Sequence, residues 1–401
     1  MPDSQPAKKR TVASWSEAAL LYLIFAGTGV GMALPGAVLP ALMHEWAMRD
    51  GGAGGLFFLA WVGSSTGALL AGQYRRAVVA LGCAAVGVAL VAIAFGSAWI
   101  RFEAMFLFGL GLGSTMTAIS LMRAARHKRD GAREMNRLNM VWAAGAVACP
   151  LLAAHSLRVA SVQQICATLA GVFLALSGVV LLSAALGASA DTLAQQEPRK
   201  RPREGRWIQA RMMWPLPLLL LAFLPTGIES TMGGWVAEYA RREHQSITTA
   251  VLAGSLFWGG ILASRALAST RYLSWRTERG LLLQSAWTIM AGLVMLVAAP
   301  VQAGILCGNA LVGFGLGPVY PLALAFALRH REQAGIFWVA GLGSASLPWW
   351  TGLASAAGGS LRLGMLVPLA ASVVLLASGM AVARNRDGEG LGRNILNGRR
   401  V

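Results

Sequence analysis

Long apolar segments alternate with short polar ones over the whole chain. The apolar segments fall at 17–44, 52–73, 77–97, 100–124, 137–158, 162–187, 211–239, 246–269, 279–299, 302–327, 333–356 and 361–384. A helix needs roughly 20 apolar residues to cross the hydrocarbon core of a bilayer, and every segment meets that length. Lipid offers the backbone no hydrogen-bond partner, so a spanning segment must satisfy its own N–H and C=O groups as a helix. Glycine and proline interrupt these segments more than soluble helices would allow; in membranes, neighbouring helices re-satisfy the freed backbone groups. The pattern predicts an all-α membrane protein of twelve transmembrane helices.

Composition supports the same class. Of 401 residues, 56% are hydrophobic and 13% charged, against roughly 25% charged in a soluble domain. So little charge cannot cover a soluble surface of this size. The net charge is +17, but the basic residues sit in short runs between apolar segments, as in cytoplasmic loops. They are not interleaved with aromatics on one folded unit, which argues against a nucleic-acid partner. With a cytoplasmic N-terminus, only Arg49, Arg101, Arg158, Arg241, Arg242 and Arg362 of the thirty-four Lys and Arg residues face out. This asymmetry predicts both termini inside, in an inner or plasma membrane of bacterial type. Met1 to Ser16 lead into the first segment without a small-residue cleavage site, so a retained span is expected rather than a signal peptide.

The longest connection, 188–210, carries Arg199, Lys200, Arg201, Arg203 and Arg206 with two prolines. It reads as a basic cytoplasmic linker near anionic headgroups. The expected organisation is a cytoplasmic tail (1–16), a first six-helix bundle (17–187), the linker, a second bundle (211–384) and a cytoplasmic tail (385–401). The two bundles share sequence. Gly109-Leu-Gly-Leu-Gly113 recurs as Gly313-Phe-Gly-Leu-Gly317, and Trp142-Ala-Ala-Gly145 as Trp338-Val-Ala-Gly341. Trp61-Val-Gly63 recurs as Trp258-Gly-Gly260, and Thr28-Gly-Val30 as Thr226-Gly-Ile228. All four pairs join span n to span n+6. Parallel repeats of six spans mark transporters whose halves rock around a site at the bilayer midplane.

The chain resembles the major facilitator superfamily, and within it the fucose permease-type sugar–proton symporters. Gly227-Ile-Glu-Ser-Thr-Met-Gly-Gly-Trp235, Phe257-Trp-Gly-Gly-Ile-Leu-Ala-Ser-Arg265, Gly315-Leu-Gly-Pro-Val-Tyr-Pro321 and Gly341-Leu-Gly-Ser-Ala-Ser-Leu-Pro-Trp349 carry the resemblance. Asn136-Arg-Leu-Asn139 before Trp142 is similar to the start of that group's fifth helix. The resemblance implies two pseudo-symmetric six-helix bundles, alternating access and proton-coupled sugar uptake. It has departures. In Gly67-Ala-Leu-Leu-Ala-Gly-Gln-Tyr-Arg-Arg76, Gln73 stands near the place of the superfamily's loop 2–3 aspartate. The carboxylates of spans one and four in fucose permease-like proteins have no counterpart between Thr28 and Gly31 or at Met116.

Glu229 is the candidate centre. A charge inside a bilayer is costly and usually faces a cavity. About eighteen residues from Arg211, roughly 27 Å along a helix, it is expected somewhat outside the midplane. It reads as a proton-titrating or hydroxyl-accepting carboxylate, or as an acid held by backbone where Gly233 and Gly234 loosen the helix. Arg265 reads as a gate paired across the bundle, or as a helix-end arginine snorkelling to headgroups. Trp142, Trp258 and Trp338 lie in the cavity-lining helices of the resembled fold, where flat rings pack against the C–H faces of a sugar. Trp235, Trp349 and Trp350 fit an aromatic belt at the interface equally well. Asn139 and Tyr320 are polar groups within the matched motifs, and helix–helix hydrogen bonding also explains them.

No cofactor or metal is expected. The glycine runs follow no strand and precede no lysine, so they are not phosphate cradles. Cys83, Cys149, Cys166 and Cys307 lie in apolar stretches without metal-ligand spacing, and the five histidines form no cluster. No base, nucleophile or metal partner accompanies Glu229, so an enzyme is not expected. The expected function is secondary active transport of a small polar metabolite, a sugar first, with a proton and by a monomer. Efflux of drug-like or lipophilic metabolites is the alternative. A transport-inactive sensor or assembly factor is the rival of another class, but a sensor should carry an output domain and none is visible.

Overall fold

A computed structural model describes residues 12–71, 75–127, 131–191, 216–268, 277–328 and 333–397. The first half of the chain forms α1 (Val12–Glu45), α2 (Asp50–Leu70), α3 (Arg75–Phe95), α4 (Ala98–Arg126), α5 (Gly131–Ser156) and α6 (Val162–Asp191). The second forms α7 (Leu216–Arg242), α8 (Ile247–Ala268), α9 (Glu278–Ala298), α10 (Gln302–Leu328), α11 (Gln333–Gly358), α12 (Leu361–Gly364) and α13 (Leu366–Asn397). No strand occurs among the described residues. Eleven stretches are long and apolar enough to cross a membrane, and α11, with 26 residues, fills the remaining place. The protein is an integral multi-pass membrane protein of two six-helix bundles. The start of α1 and the end of α13 lie at one end, called the terminal end below; the other is the distal end.

The helices outrun the apolar segments that predict them. α1 begins at Val12, inside the expected tail, and α13 runs to Asn397, through most of the tail expected from 385. Hydropathy marks where lipid stops, whereas backbone hydrogen bonding continues into the polar layer. Residues 188–191 continue α6, and the rest of the expected linker lies outside the described residues, as does Gln73. The twelfth span is broken, which the sequence pattern does not announce. Pro368 has no N–H to give to the carbonyl of residue 364, so the ladder is interrupted and α12 ends at Gly364 before α13 resumes at Leu366.

The internal repeat has a packing basis. A Cβ on Gly109 or Gly113 of α4 would collide with the backbone of Ala60 or Ser64 of α2, and one on Gly313 or Gly317 of α10 would meet Phe257 or Ser264 of α8. The same glycine ridge thus seats α4 on α2 and α10 on α8. Small residues are what let membrane helices approach this closely. The distal turns repeat as well. Ala47 after α1 and His244 after α7 both take positive φ, 45° and 57°. The following amides close the same bond, Met48 N–H to Met43 O and Gln245 N–H to Ala240 O, each at 3.0 Å. This is the Schellman termination, used in both halves without a glycine.

The halves meet through α2 and α11, α5 and α8, and α1 and α7. Gly36 of α1 and Gly233 of α7 bring two backbones together where no side chain would fit. Gly234 packs against the ring of Phe57, and Gly54 against the backbone of Trp349. The indole of Trp235, fully buried, donates to Pro348 O at 3.0 Å. Trp235 is therefore not part of an interfacial belt; it ties α7 to α11. Trp350 is exposed, and Trp349 packs against Phe58 with the rings tilted by 49° and their centroids 5.2 Å apart.

Candidate functional site

A cavity of about 640 Å³ extends from the middle of the molecule toward the terminal end, between the halves. Its walls come from α1, α2, α4 and α5 on one side and from α7 to α11 on the other. Among the expected site residues, Glu229, Arg265, Asn139, Trp142 and Trp338 line it. Tyr320 lies in α10, and its side chain is outside the described residues. Trp258 does not line this cavity. It is buried behind Trp142, ring centroids 5.5 Å apart and nearly perpendicular, and faces a second cavity at the distal end. Height along α8 decides this: seven residues apart, the two side chains share a face but lie roughly 10 Å apart along the axis, Arg265 at the central cavity and Trp258 at the distal one.

Glu229 lies midway along the described 27-residue α7; Arg211, from which its depth is expected, lies outside the described residues. The described helix begins at Leu216, and it continues past the apolar stretch to Arg242. Gly233 and Gly234 do not loosen it. α7 is continuous there, and the two glycines instead admit α1, Trp258 and Phe57. The partner of Glu229 is Arg265, with Nη2 3.9 Å from Oε2 and both side chains less than a fifth exposed. Arg265 also donates through Nε to Gly317 O at 3.4 Å. It therefore turns into the cavity rather than out to headgroups, and its carboxylate partner belongs to its own half rather than crossing the bundle.

The remaining walls supply two kinds of surface. Flat ring faces come from Trp61, Trp142 and Trp338, the last 48% exposed. Hydrogen-bonding groups come from Asn136 and Asn139 on α5 and from Ser64, Ser65, Thr226, Ser230 and Ser344. Thr226 is spoken for in part, since its hydroxyl donates to Ala340 O at 2.8 Å and so ties α7 to α11. Trp142 Nε1 is buried without a hydrogen-bond partner among the described residues. Trp61 and Asn136 are absent from the sequence-derived site. The signal for Trp61 is its repeat partnership with Trp258, and for Asn136 its place one turn before Asn139. No group of three metal-ligating side chains occurs among the described residues.

The distal end is closed by charge. Arg242 at the end of α7 reaches across to Asp50 at the start of α2, with Nη1 2.8 Å from Oδ2 and a second contact from Nη2 to Oδ1. Ser355 of α11 donates to the same carboxylate at 2.5 Å. Glu238, fully buried, accepts from Arg241 and Arg242 at 2.6 Å each. The terminal end of the first half has its own network. Glu134 of α5 accepts from Tyr22 of α1 and Arg123 of α4, each at 2.6 Å. Glu17 of α1 accepts from Arg76 at 2.8 Å and Arg126 at 2.7 Å.

Solved structures share this architecture. A bacterial homolog of the human lysosomal transporter Spinster, in an inward-facing and occupied conformation, matches with a TM-score of 0.68 at 12% identity, over 95% of this chain and 98% of that one. The nucleoside transporter NupG matches with 0.70 at 12% identity, over 93% and 100%. The E. coli fucose:proton symporter FucP matches with 0.59 at 17% identity, over 91% and 98%. At such identities the likeness is one of fold. No curated protein sequence matches the chain. The model of the Major Facilitator Superfamily matches residues 20–345, and the chain belongs to that family of transporters.

Proposed function

We propose that this protein is a secondary active transporter that moves a small polyhydroxylated metabolite, a sugar or a sugar-bearing solute, by alternating access and with a proton. The observation that carries the reading is the wall of the central cavity. Three indole faces, two amides and a Glu–Arg pair converge on a space of about 640 Å³, within the roughly 300–1,000 Å³ usual for small-molecule sites. Ring faces pack against C–H surfaces while amides and carboxylates take hydroxyls. Glu229 is the proposed proton carrier, because it is the carboxylate that lines this cavity and it sits at mid-helix. Arg265 is the proposed positioning partner, which holds Glu229 while it is charged. The positive-inside asymmetry makes the terminal end cytoplasmic, so the arrangement is read as inward-facing. The solutes named for two of the similar structures, fucose and nucleosides, share a sugar ring, which agrees with this class.

The test is a thermal-shift screen of the purified protein against neutral sugars, nucleosides, sugar acids and lipophilic cations. A ligand that binds the native state alone raises apparent stability by mass action, about 2.7 kcal/mol at a hundred times its Kd. Stabilisation by a sugar or nucleoside, lost in Trp338→Ala, supports the reading. Stabilisation by lipophilic cations alone would replace it with drug-like efflux.

A further inference from the structure

A second cavity, larger than the first at about 810 Å³, lies at the distal end. Four helices wall it, α1 and α5 from the first half and α7 and α8 from the second. Its body is apolar, with Ala37, Pro40, Ala154, Val236 and Val251 among its linings and Trp258 beside the Gly36–Gly233 approach. Its polar groups gather where the helices end. Arg158, Arg241 and Arg242 outnumber the single acid there, Glu238. Arg242 is committed to Asp50 and Glu238, and Arg241 to Glu238. Arg158 is exposed and has no carboxylate partner among the described residues. The helices that form the seam, α5 and α8, also carry exposed apolar side chains, Leu152 at 57%, Ile247 at 78% and Leu256 at 40%, which in a membrane face lipid.

We propose that this cavity binds a single-chain anionic lipid taken from the distal leaflet through the seam between α5 and α8. An apolar body with a cationic mouth at the depth of the headgroups is complementary to an acyl chain that ends in an acid. A neutral polar solute gains little from such walls, and a cation is opposed by the mouth. Below the occupant, Trp258 packs edge-on against Trp142, which lines the central cavity. The two sites are thus one indole pair apart. Because both halves build the cavity, its shape depends on how they are set, and an occupant favours the arrangement in which the cavity is intact. The occupant is therefore a stabiliser of the distally closed state, distinct from the transported solute.

The experiment uses the full chain in nanodiscs of neutral phosphatidylcholine, with radiolabelled oleate as probe and oleyl alcohol as its uncharged competitor. Saturable one-to-one oleate binding is expected, with oleyl alcohol competing about fivefold less well, the order of one basic side chain near a headgroup. Arg158→Gln should weaken oleate by about the same factor. Ala154→Trp and Val251→Trp fill the body from opposite walls, and each should abolish saturable binding. Variants are compared only if they elute as monodisperse protein with wild-type thermal unfolding in the absence of oleate, and either filling variant suffices. Saturable binding that survives filling, equal competition by the alcohol, or partitioning without saturation would each overturn the proposal.

Discussion

At the residue scale the proposed proton coupling rests on Glu229. It lines the central cavity, stands at mid-helix and keeps Arg265 within 3.9 Å. A carboxylate so placed can take a proton from one side of the membrane and release it to the other as the halves rock. Glu229→Gln copies the protonated side chain in shape and in most of its hydrogen bonding. The expected outcome is a protein that exchanges substrate between compartments at near wild-type rate but no longer accumulates it when a pH gradient is imposed, a loss of tenfold or more, on the order of one uncoupled proton gradient. Proteoliposome uptake with and without the gradient measures both. Gradient-driven accumulation by the mutant would remove Glu229 from the coupling role. The place of Glu229 in the cavity lining was legible in the sequence, because an acid inside an apolar segment stands out and is expected to face a cavity. Its partner was not. Arg265 is thirty-six positions away near a helix end, where an arginine is ordinarily explained by headgroups; only the rotation of α8 about its axis turns it inward. Trp258, seven residues before Arg265 and on the same face of α8, lies roughly 10 Å nearer the distal end, against Trp142 and outside the lining of the central cavity.

At the scale of elements, the distal closure is the part that moves if access alternates. Asp50 is its hinge of charge, accepting from Arg242 of α7 and Ser355 of α11. It therefore ties one half to two helices of the other. Asp50→Asn removes the ion pair but leaves a hydrogen-bonding amide, and Arg242 keeps Glu238. Breaking a buried pair costs about 3 kcal/mol or more; with Arg242 28% exposed, a value at or below that bound is expected. The distally closed population should fall by up to roughly a hundredfold relative to the open one. Cysteines placed at Ala37 and Ala237, which line the distal cavity, report it: Asp50→Asn should speed their labelling by a membrane-impermeant reagent applied to the distal side. Unchanged labelling would reduce Asp50 to a helix-end acid at the macrodipole of α2. Nothing in the sequence announces this contact, since Asp50 and Arg242 lie at helix ends, where charge needs no explanation. The glycine ridges of α4 and α10 were legible as repeats, though which helix each would meet was supplied by the structure.

For the whole molecule, the twelve segments and their division into halves could be read directly, because lipid imposes length and apolarity on every span. The state could not. A chain that alternates between two arrangements must contain the contacts of both, so its sequence favours neither end as the closed one. Sidedness is a separate question, and it is decided by charge. The sequence assigns six basic residues, Arg49, Arg101, Arg158, Arg241, Arg242 and Arg362, to the distal ends and turns, and predicts the other twenty-eight of thirty-four on the terminal side. Four of the six are engaged in the structure: Arg242 with Asp50 and Glu238, Arg241 with Glu238, Arg362 with the carbonyl of Val297 at 2.8 Å, and Arg101 over the ring of Trp46 at 4.7 Å. Reporter fusions at Ala190, near the end of α6, and after Val401 should therefore both read as cytoplasmic. The two sites test different things. An outward reading at both would invert the molecule and turn the central cavity toward the outside. Disagreement between them would mean an odd number of spans in the second half, and the broken span of α12 and α13 would be the first place to look. Agreement on the inside makes the central cavity open to the cytoplasm in this arrangement, with Asp50 and Arg242 as the outer seal.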